Sequence, residues 1–410
     1  VTCPHFNPLD PSFQADPYPL YAELRRDTPV FYSPLYDMWV VTRYADVAQV
    51  MKQTDVFSSV GSLQANVALP PLVTAVLEES SLGPAVLMVE SDTPVHSRMR
   101  NVVNKAFTPQ RIAQLEPQIR AITDELIDSF VNDGQADLMP QFAIPLPGRV
   151  ICRLFGIPEE DFGLIKRWSD DFMELLGASG PEERLIEAAH GFVASQQYFL
   201  EQIRERQQNP REDLLTVMLP AELGGSAALS VSEATYNAID FVVAGHETTT
   251  HSIANGLAHL FANPDQLHQL ATQPELIPNA VEELLRIDTS VLGLFRITTR
   301  EAELGGVTIP AKARMFILYS AANHDETHFP NPDQLDITRP NAREHLAFAR
   351  GIHTCLGAPL ARLELRIAFE RLLQRLPNLR PADDGTRSQH FFMRGFETFP
   401  VAWDVDSSAA

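Results

Sequence analysis

The sequence predicts a mainly α domain with small peripheral β-sheets, and three observations carry that expectation. Apolar residues recur at helical spacing through the middle of the chain, and β-branched and aromatic runs bounded by turn residues occur toward its ends. No repeat, linker or low-complexity tract divides residues 1–410, which read as one domain with a loose tail at 408–410. With 410 residues, 45% of them hydrophobic and 21% charged, the chain has ample apolar material for a large core.

In chain order, MWVVTRY (38–44) reads as a strand. RIAQLEPQIRAITDELIDSFV (111–131) and the region 181–207 have helical periodicity. SEATYNAIDFVVAGHETTTHSIANGLAHLFAN (232–263) reads as one helix, with Ser232 as its N-cap and Asn263-Pro264 as its stop. At 1.5 Å per residue it would run about 48 Å, and its centre is apolar on nearly all sides, so it should cross the core. Into that centre the sequence places AGHETTT (244–250): a glycine, a carboxylate and three β-branched hydroxyls. A carboxylate there costs several kcal/mol unless partnered. Threonine hydroxyls bonding back to carbonyls four residues earlier would make it a purely structural polar knot. GGVTIPAKARMFILY (305–319) and FPVAWDV (399–405) carry the remaining strand signals, and APLARLELRIAFERLLQRL (358–376) reads as a long helix.

The net charge of −21 repels phosphate backbones and anionic lipid, so neither nucleic acid nor a membrane anchor is expected. No apolar run approaches the ~18 residues that span a bilayer, and the start lacks a secretory pattern, so the expected location is cytoplasmic. Charge is uneven, however. HSRMRNVVNKAFTPQR (96–111) carries Arg98, Arg100, Lys105 and Arg111 with no acid, and 339–366 adds five arginines.

Three cysteines, at 3, 152 and 355, make no disulfide framework and have no partner at metal-finger spacing. Cys152 lies in apolar VICRLFGI and reads as an inert core residue. Cys355 lies in FARGIHTCLG (348–357), where glycines let amides approach the sulfur and the following helix N-terminus favours a thiolate. A nucleophile would want a histidine base beside it, and His353 two residues earlier does not dictate that geometry. Ligation by a single cysteine suggests instead a preformed macrocycle whose iron takes one protein thiolate.

These residues resemble the cytochrome P450 family. Phe348, Gly351, His353, Cys355 and Gly357 match its haem-binding signature, and AGHETT resembles its oxygen-activation helix. ELLR (283–286) is similar to its Glu-x-x-Arg motif, and NPDQLDITRP (331–340) to the segment before the haem loop. DTPVHSRMR (92–100) and FRITTREAELGG (295–306) resemble segments that hold haem propionates. The likeness runs from about Asp10 to Trp403, with Ala349 standing where glycine is common. It implies the P450 fold and haem b (iron protoporphyrin IX), with Cys355 as proximal ligand and Phe348 shielding the sulfur. It further implies that His96, Arg100, Arg296 and His353 pair with propionates. Glu247 and Thr248 become a proton-delivering acid–alcohol pair, while Ala244 and Gly245 leave room for oxygen. Glu283, Arg286 and Arg339 form a fold-locking ion network; His246, Thr249 and Thr250 are packing or surface residues.

The resemblance implies a monooxygenase that uses O2 to hydroxylate, or oxidatively dealkylate, a small to mid-sized apolar substrate. A peroxide-using or dehydrating relative is disfavoured by Glu247 and Thr248, as is a non-catalytic haem sensor or electron carrier. Substrate contacts are expected from the loop at 63–87 and from Val243, Ala244, Val291, Leu292, Phe295, Phe392 and Met393. Asp240, four and eight residues before Ala244 and Thr248, shares their helical face; it could hold a substrate amine or hydroxyl, or pair with an arginine of a covering helix. Electrons are expected from a ferredoxin-type donor with its reductase, since no flavin or iron–sulfur motif occurs. The family fold implies that the basic stretches 96–111 and 339–366 converge behind Cys355 to steer that donor. The chain could equally be the haem portion of a longer fusion.

Overall fold

The computed structural model describes residues 2–3, 6–63, 68–82, 85–178, 180–219 and 229–405. The tail at 408–410 and parts of the 63–87 loop lie outside the described residues. Helices dominate and strands are short, as the periodicity predicts. Two compact units result, one formed by 1–57, 112–147 and 247–410, the other by 58–111 and 148–246.

In the first unit, strands Val30–Ser33 and Met38–Val41 form an antiparallel hairpin; Met38–Val41 then pairs in parallel with Arg314–Ile317, which pairs antiparallel with Leu294–Thr298. This sheet covers a core that includes Val41, Val47, Met51, Phe57, Met315 and Phe329. Helices Pro109–Asp128 and Ala358–Arg375 are laced together along their length: Arg120 donates to both oxygens of Glu370 at 2.9 and 3.0 Å, and Arg366 to Glu116 at 2.8 Å. In the second unit, helices Phe162–Gly177 and Glu182–Gln208 pack closely, with Leu175, Leu185, Ala188 and Ala189 in one buried cluster with Val73.

The 38–44 strand stops at Val41, and Tyr44 opens the helix Tyr44–Lys52. The 305–319 run is broken by Pro310 and the left-handed Lys312 (φ 62°) into Val307–Ile309 and Arg314–Ile317, which belong to different sheets. The 399–405 signal contracts to Pro400–Ala402, flanked by Arg380–Pro381 and by the mid-chain strand Gln135–Asp137. Ends were therefore not the sole place for strands. Gln135–Asp137 has three residues with a single apolar one, too little for a period-2 signal.

The long helix spans Val231–Ala262. Its cap is Ser230 rather than Ser232: the Glu233 N–H donates to Ser230 Oγ at 3.2 Å, while the Ser230 N–H donates back to Glu233 Oε2 at 2.8 Å. This reciprocal Ser-x-x-Glu box satisfies two terminal donors and outcompetes a cap two residues later. Among the described residues, no helix is long and apolar enough to cross a membrane.

Candidate active site

FARGIHTCLG folds into a closed loop. The Cys355 N–H donates to the Phe348 carbonyl at 2.8 Å, and a 3₁₀ turn at Gly351–His353 lies between. Gly351 is obligatory: its φ is +74°, and a Cβ there would stand 2.7 Å from the Met51 carbonyl oxygen. Ala349 also has a left-handed φ, +52°, which explains why glycine suits that position. Cys355 ends up exposed, two residues before Gly357, the N-cap of the eighteen-residue helix Ala358–Arg375; a Cβ on Gly357 would lie 3.9 Å from its sulfur. That helix terminus favours an anionic sulfur. Cys152 is fully buried, and burial pushes its thiol up to about 12, so it is inert.

Phe348 is held beneath this loop, with its ring 4.6 Å from the Arg362 guanidinium and 5.6 Å from the His345 ring. In the same unit Arg296, on strand Leu294–Thr298, is only 3% exposed; its Nη1 donates to the Phe295 carbonyl at 2.6 Å, and its Nε has no hydrogen-bond partner among the described residues. Buried Tyr319, which feels the Arg296 charge, likewise has an unbonded hydroxyl. A buried cation with an unspent donor calls for an anion. An exposed thiol and this guanidinium therefore fit a group that carries both a thiolate-binding metal and an acidic edge, as haem does.

Along the 231–262 helix, Tyr236, Asp240, Ala244 and Thr248 retain accessible surface, while Ile239, Val242, Val243 and His246 are buried. Spaced four apart, these four form one stripe, with partly exposed Phe241 and Gly245 beside it, so the helix is not apolar-packed on all sides. Ala244 is the most open of them. At Gly245 a Cβ would lie 2.7 Å from Ile151 Cδ1, so its missing side chain admits that isoleucine. His246 is buried, its Nδ1 2.8 Å from the Val242 carbonyl and its ring edge-on to Phe162, a packing role. Glu247 is buried, with His251 one turn on at 4.0 Å. Thr250 donates to the Ala143 carbonyl at 2.9 Å, not to its own helix. Ser252 donates to the Thr248 carbonyl at 2.8 Å and anchors that turn.

Glu283, Arg286 and Arg339 form the expected network, entirely buried. Its neighbour Glu282 was missed. Burial disfavours its charge, but His345 Nε2 at 3.1 Å and Arg362 at 2.7 and 3.0 Å outweigh that and hold its carboxyl down at about 2. A second missed hub is Asp288, which accepts from Arg394 at 2.8 Å and lies 3.3 Å from His259; burial opposes its charge, yet these cations keep its carboxyl far below the usual range. The doublet in EELLR and the ensuing aspartate were the only traces: each buried acid demands its own base.

In the second unit, His96 is buried, and burial, then Arg100, lower its pKa. Arg100 donates to Asn104 at 3.0 Å. Arg98 is ion-paired with Glu233, and several arginines of 339–366 are engaged as well: Arg339 with Glu283, Arg343 and Arg362 with Glu282, and Arg366 with Glu116. The basic stretches are thus less available than their composition implies, because acids elsewhere in the chain reach them. Among the described residues Asp240 does not pair with an arginine; the charge it senses is that of Glu90.

The pocket residues of the first unit divide. Val291 bridges Met393, and the Leu292 N–H donates to the Phe392 carbonyl at 2.8 Å, which brings these four together. Of them Val291 is the most accessible, while Leu292 is core. Phe295 is buried, its ring 5.0 Å from Phe316 and 6.0 Å from Phe391 with Arg314 over its face. In the second unit Val243 is buried beside open Ala244.

The model for the family described as Cytochrome P450 matches residues 169–393. Cytochrome P450 107B1 of Saccharopolyspora erythraea is 37% identical over 402 residues, 96% of each chain. The 6-deoxyerythronolide B hydroxylase of the same organism is 34% identical over 403 residues, 96% of this chain and 97% of the relative. The solved structure of cytochrome P450 CREJ in complex with (4-ethylphenyl) dihydrogen phosphate superimposes with a TM-score of 0.93 at 30% identity, over 98% of this chain and 100% of that one.

Proposed function

The chain belongs to the cytochrome P450 family and is an oxidoreductase of its monooxygenase class, and from that premise we propose that it hydroxylates a C–H bond of a small to mid-sized, mainly apolar substrate with O2 as oxygen source. The observation that carries the reading is Cys355, exposed from a closed loop at a helix N-terminus while Cys152 is buried and inert. The hydroxylase names of relatives support hydroxylation over dealkylation.

In this reading Cys355 holds the iron of haem b, with Phe348 covering the sulfur and Gly351 letting the loop close. Arg296 and His353 neutralise propionate charge. The bound haem supplies the activation of dioxygen. The chain's own groups supply protons and order: Thr248 presents its hydroxyl on the accessible helix stripe, and Glu247, buried one residue earlier, holds the proton that is passed to it. Ala244 keeps the stripe open beside them. Glu283, Arg286 and Arg339 hold the segment preceding the cysteine loop. A ferredoxin-type protein with its reductase delivers the electrons.

The test is spectroscopic. Reduced holoprotein under carbon monoxide should show the red-shifted Soret band of thiolate ligation, and Cys355→His should abolish it. A wild-type band of the histidine-ligated kind would overturn the reading.

A further inference from the structure

Asp240 is a half-buried acid that the proposed chemistry does not use. It sits one turn before Ala244 on the accessible stripe of the 231–262 helix, about 6 Å along the axis. It retains accessible surface in line with open Ala244. Among the described residues no hydrogen bond or ion pair reaches its oxygens, and the one charged group acting on it is Glu90, itself an acid, which accepts from the Leu63 N–H at 2.8 Å. Several cations of this unit are placed elsewhere: Arg98 on Glu233, Arg149 and Arg153 on Glu159, Arg184 on Asp171. Burial, reinforced by Glu90, pushes the Asp240 carboxyl up to about 7. The fold therefore maintains an acid without a cation at the open face of its functional helix, an arrangement that costs stability and that a positive ligand would relieve.

We infer that Asp240 is a specificity-determining residue that selects apolar substrates carrying a protonated or quaternary amine, with Glu90 reinforcing the negative potential. The inference rests on the monooxygenase reading only in calling the ligand a substrate. An aliphatic or aromatic body would lie along the apolar part of the stripe while its cation meets the carboxylate. A charge-assisted contact in an enclosed site discriminates far more strongly than the same contact in water.

The probes are (3-phenylpropyl)trimethylammonium, which cannot ligate iron, and its neutral isostere (4,4-dimethylpentyl)benzene, titrated calorimetrically into holoprotein. Wild type should bind the cation at least about tenfold more tightly, equivalent to about 1.4 kcal/mol. Asp240→Asn should erase that preference while leaving the isostere's affinity unchanged, and Asp240→Glu should keep it. Equal affinities in wild type, or a cation preference that survives Asp240→Asn, would overturn the proposal. Calorimetry does not read the haem ligand: a preference present without the thiolate band supports this inference and sinks the function proposed above, and the converse result does the reverse.

Discussion

Arg339 Nε lies 3.0 Å from both carboxylate oxygens of Glu283, while Arg286 closes on the same two oxygens at 2.7 and 2.8 Å. One buried carboxylate thus serves two buried guanidiniums, and the Asp336 N–H donates to it as well at 3.0 Å. The remaining guanidinium donors go to carbonyls, those of Asn323 for Arg286 and Pro330 for Arg339. Removing the shared acid leaves two buried positive charges. Glu283→Gln should cost about 3–5 kcal/mol in denaturant unfolding. A loss below about 1 kcal/mol, the value of an exposed pair, would show that the network locks nothing.

The two left-handed residues of the cysteine loop should respond in opposite directions. Gly351→Ala adds a Cβ against a backbone oxygen in a disfavoured conformation, and should destabilise by about 1–3 kcal/mol and lower haem retention on desalting. Ala349→Gly relieves a left-handed alanine and should stabilise by roughly 0.5–1 kcal/mol, since the greater freedom of the unfolded chain takes back part of the gain. Like signs for the two would refute the backbone argument.

Thr248→Ala should leave reductant consumption running but divert most of it to hydrogen peroxide, whereas Thr248→Ser should keep electrons coupled to product. The Ser252 hydroxyl fastens the Thr248 carbonyl rather than its side chain, so the substitution deletes a hydroxyl without moving the helix. Unchanged coupling, measured as product formed per reductant oxidised, would remove Thr248 from proton delivery.

Glu282 predicts acid lability of defined sign. Its folded carboxyl is held at about 2 against an ordinary 4.5, so the unfolded chain takes up its proton first as pH falls. The stability it contributes is complete above 4.5 and is lost between 4.5 and about 2. Glu282→Gln should flatten the fall in unfolding free energy within that window; an unaltered slope would assign the acid sensitivity to other groups.

Reduction by a ferredoxin should slow with added salt and in Lys105→Glu, which reverses an exposed cation that has no ion-pair partner among the described residues. Arg98→Glu is a poorer probe, because it would set an acid against Glu233 and unfasten the start of the long helix. Stopped-flow rates indifferent both to ionic strength and to Lys105→Glu would assign docking to apolar contact.

Much of the fold and of the cysteine loop was legible because their signals are local. The FARGIHTCLG loop closes on its own Phe348–Cys355 hydrogen bond, and the Val231–Ala262 helix declares itself by period and length. What the sequence hid depends on distant partners. Nothing local shows that Ile151 packs against Gly245 or that Phe316 and Phe391 pack against Phe295. Arg98 and Arg362 look like a docking surface until Glu233 and Glu282 claim them. Asp240 is the converse case: sequence left open a ligand-holding role or an arginine partner, and the charge the tertiary structure brings to it is that of Glu90.

The contact between Gly351 and Met51 is one-sided, because one partner contributes a hydrogen in place of a side chain and the other a main-chain oxygen. Inherited variation at the two positions should therefore be unequal. Codon 351 admits no replacement at all without displacing the helix Tyr44–Lys52, whereas codon 51 can drift among leucine, isoleucine and methionine, judged only by how each fills its buried place. The two sites would show no covariation despite being in contact, and a search for paired changes would pass over the joint that sets where the cysteine sits.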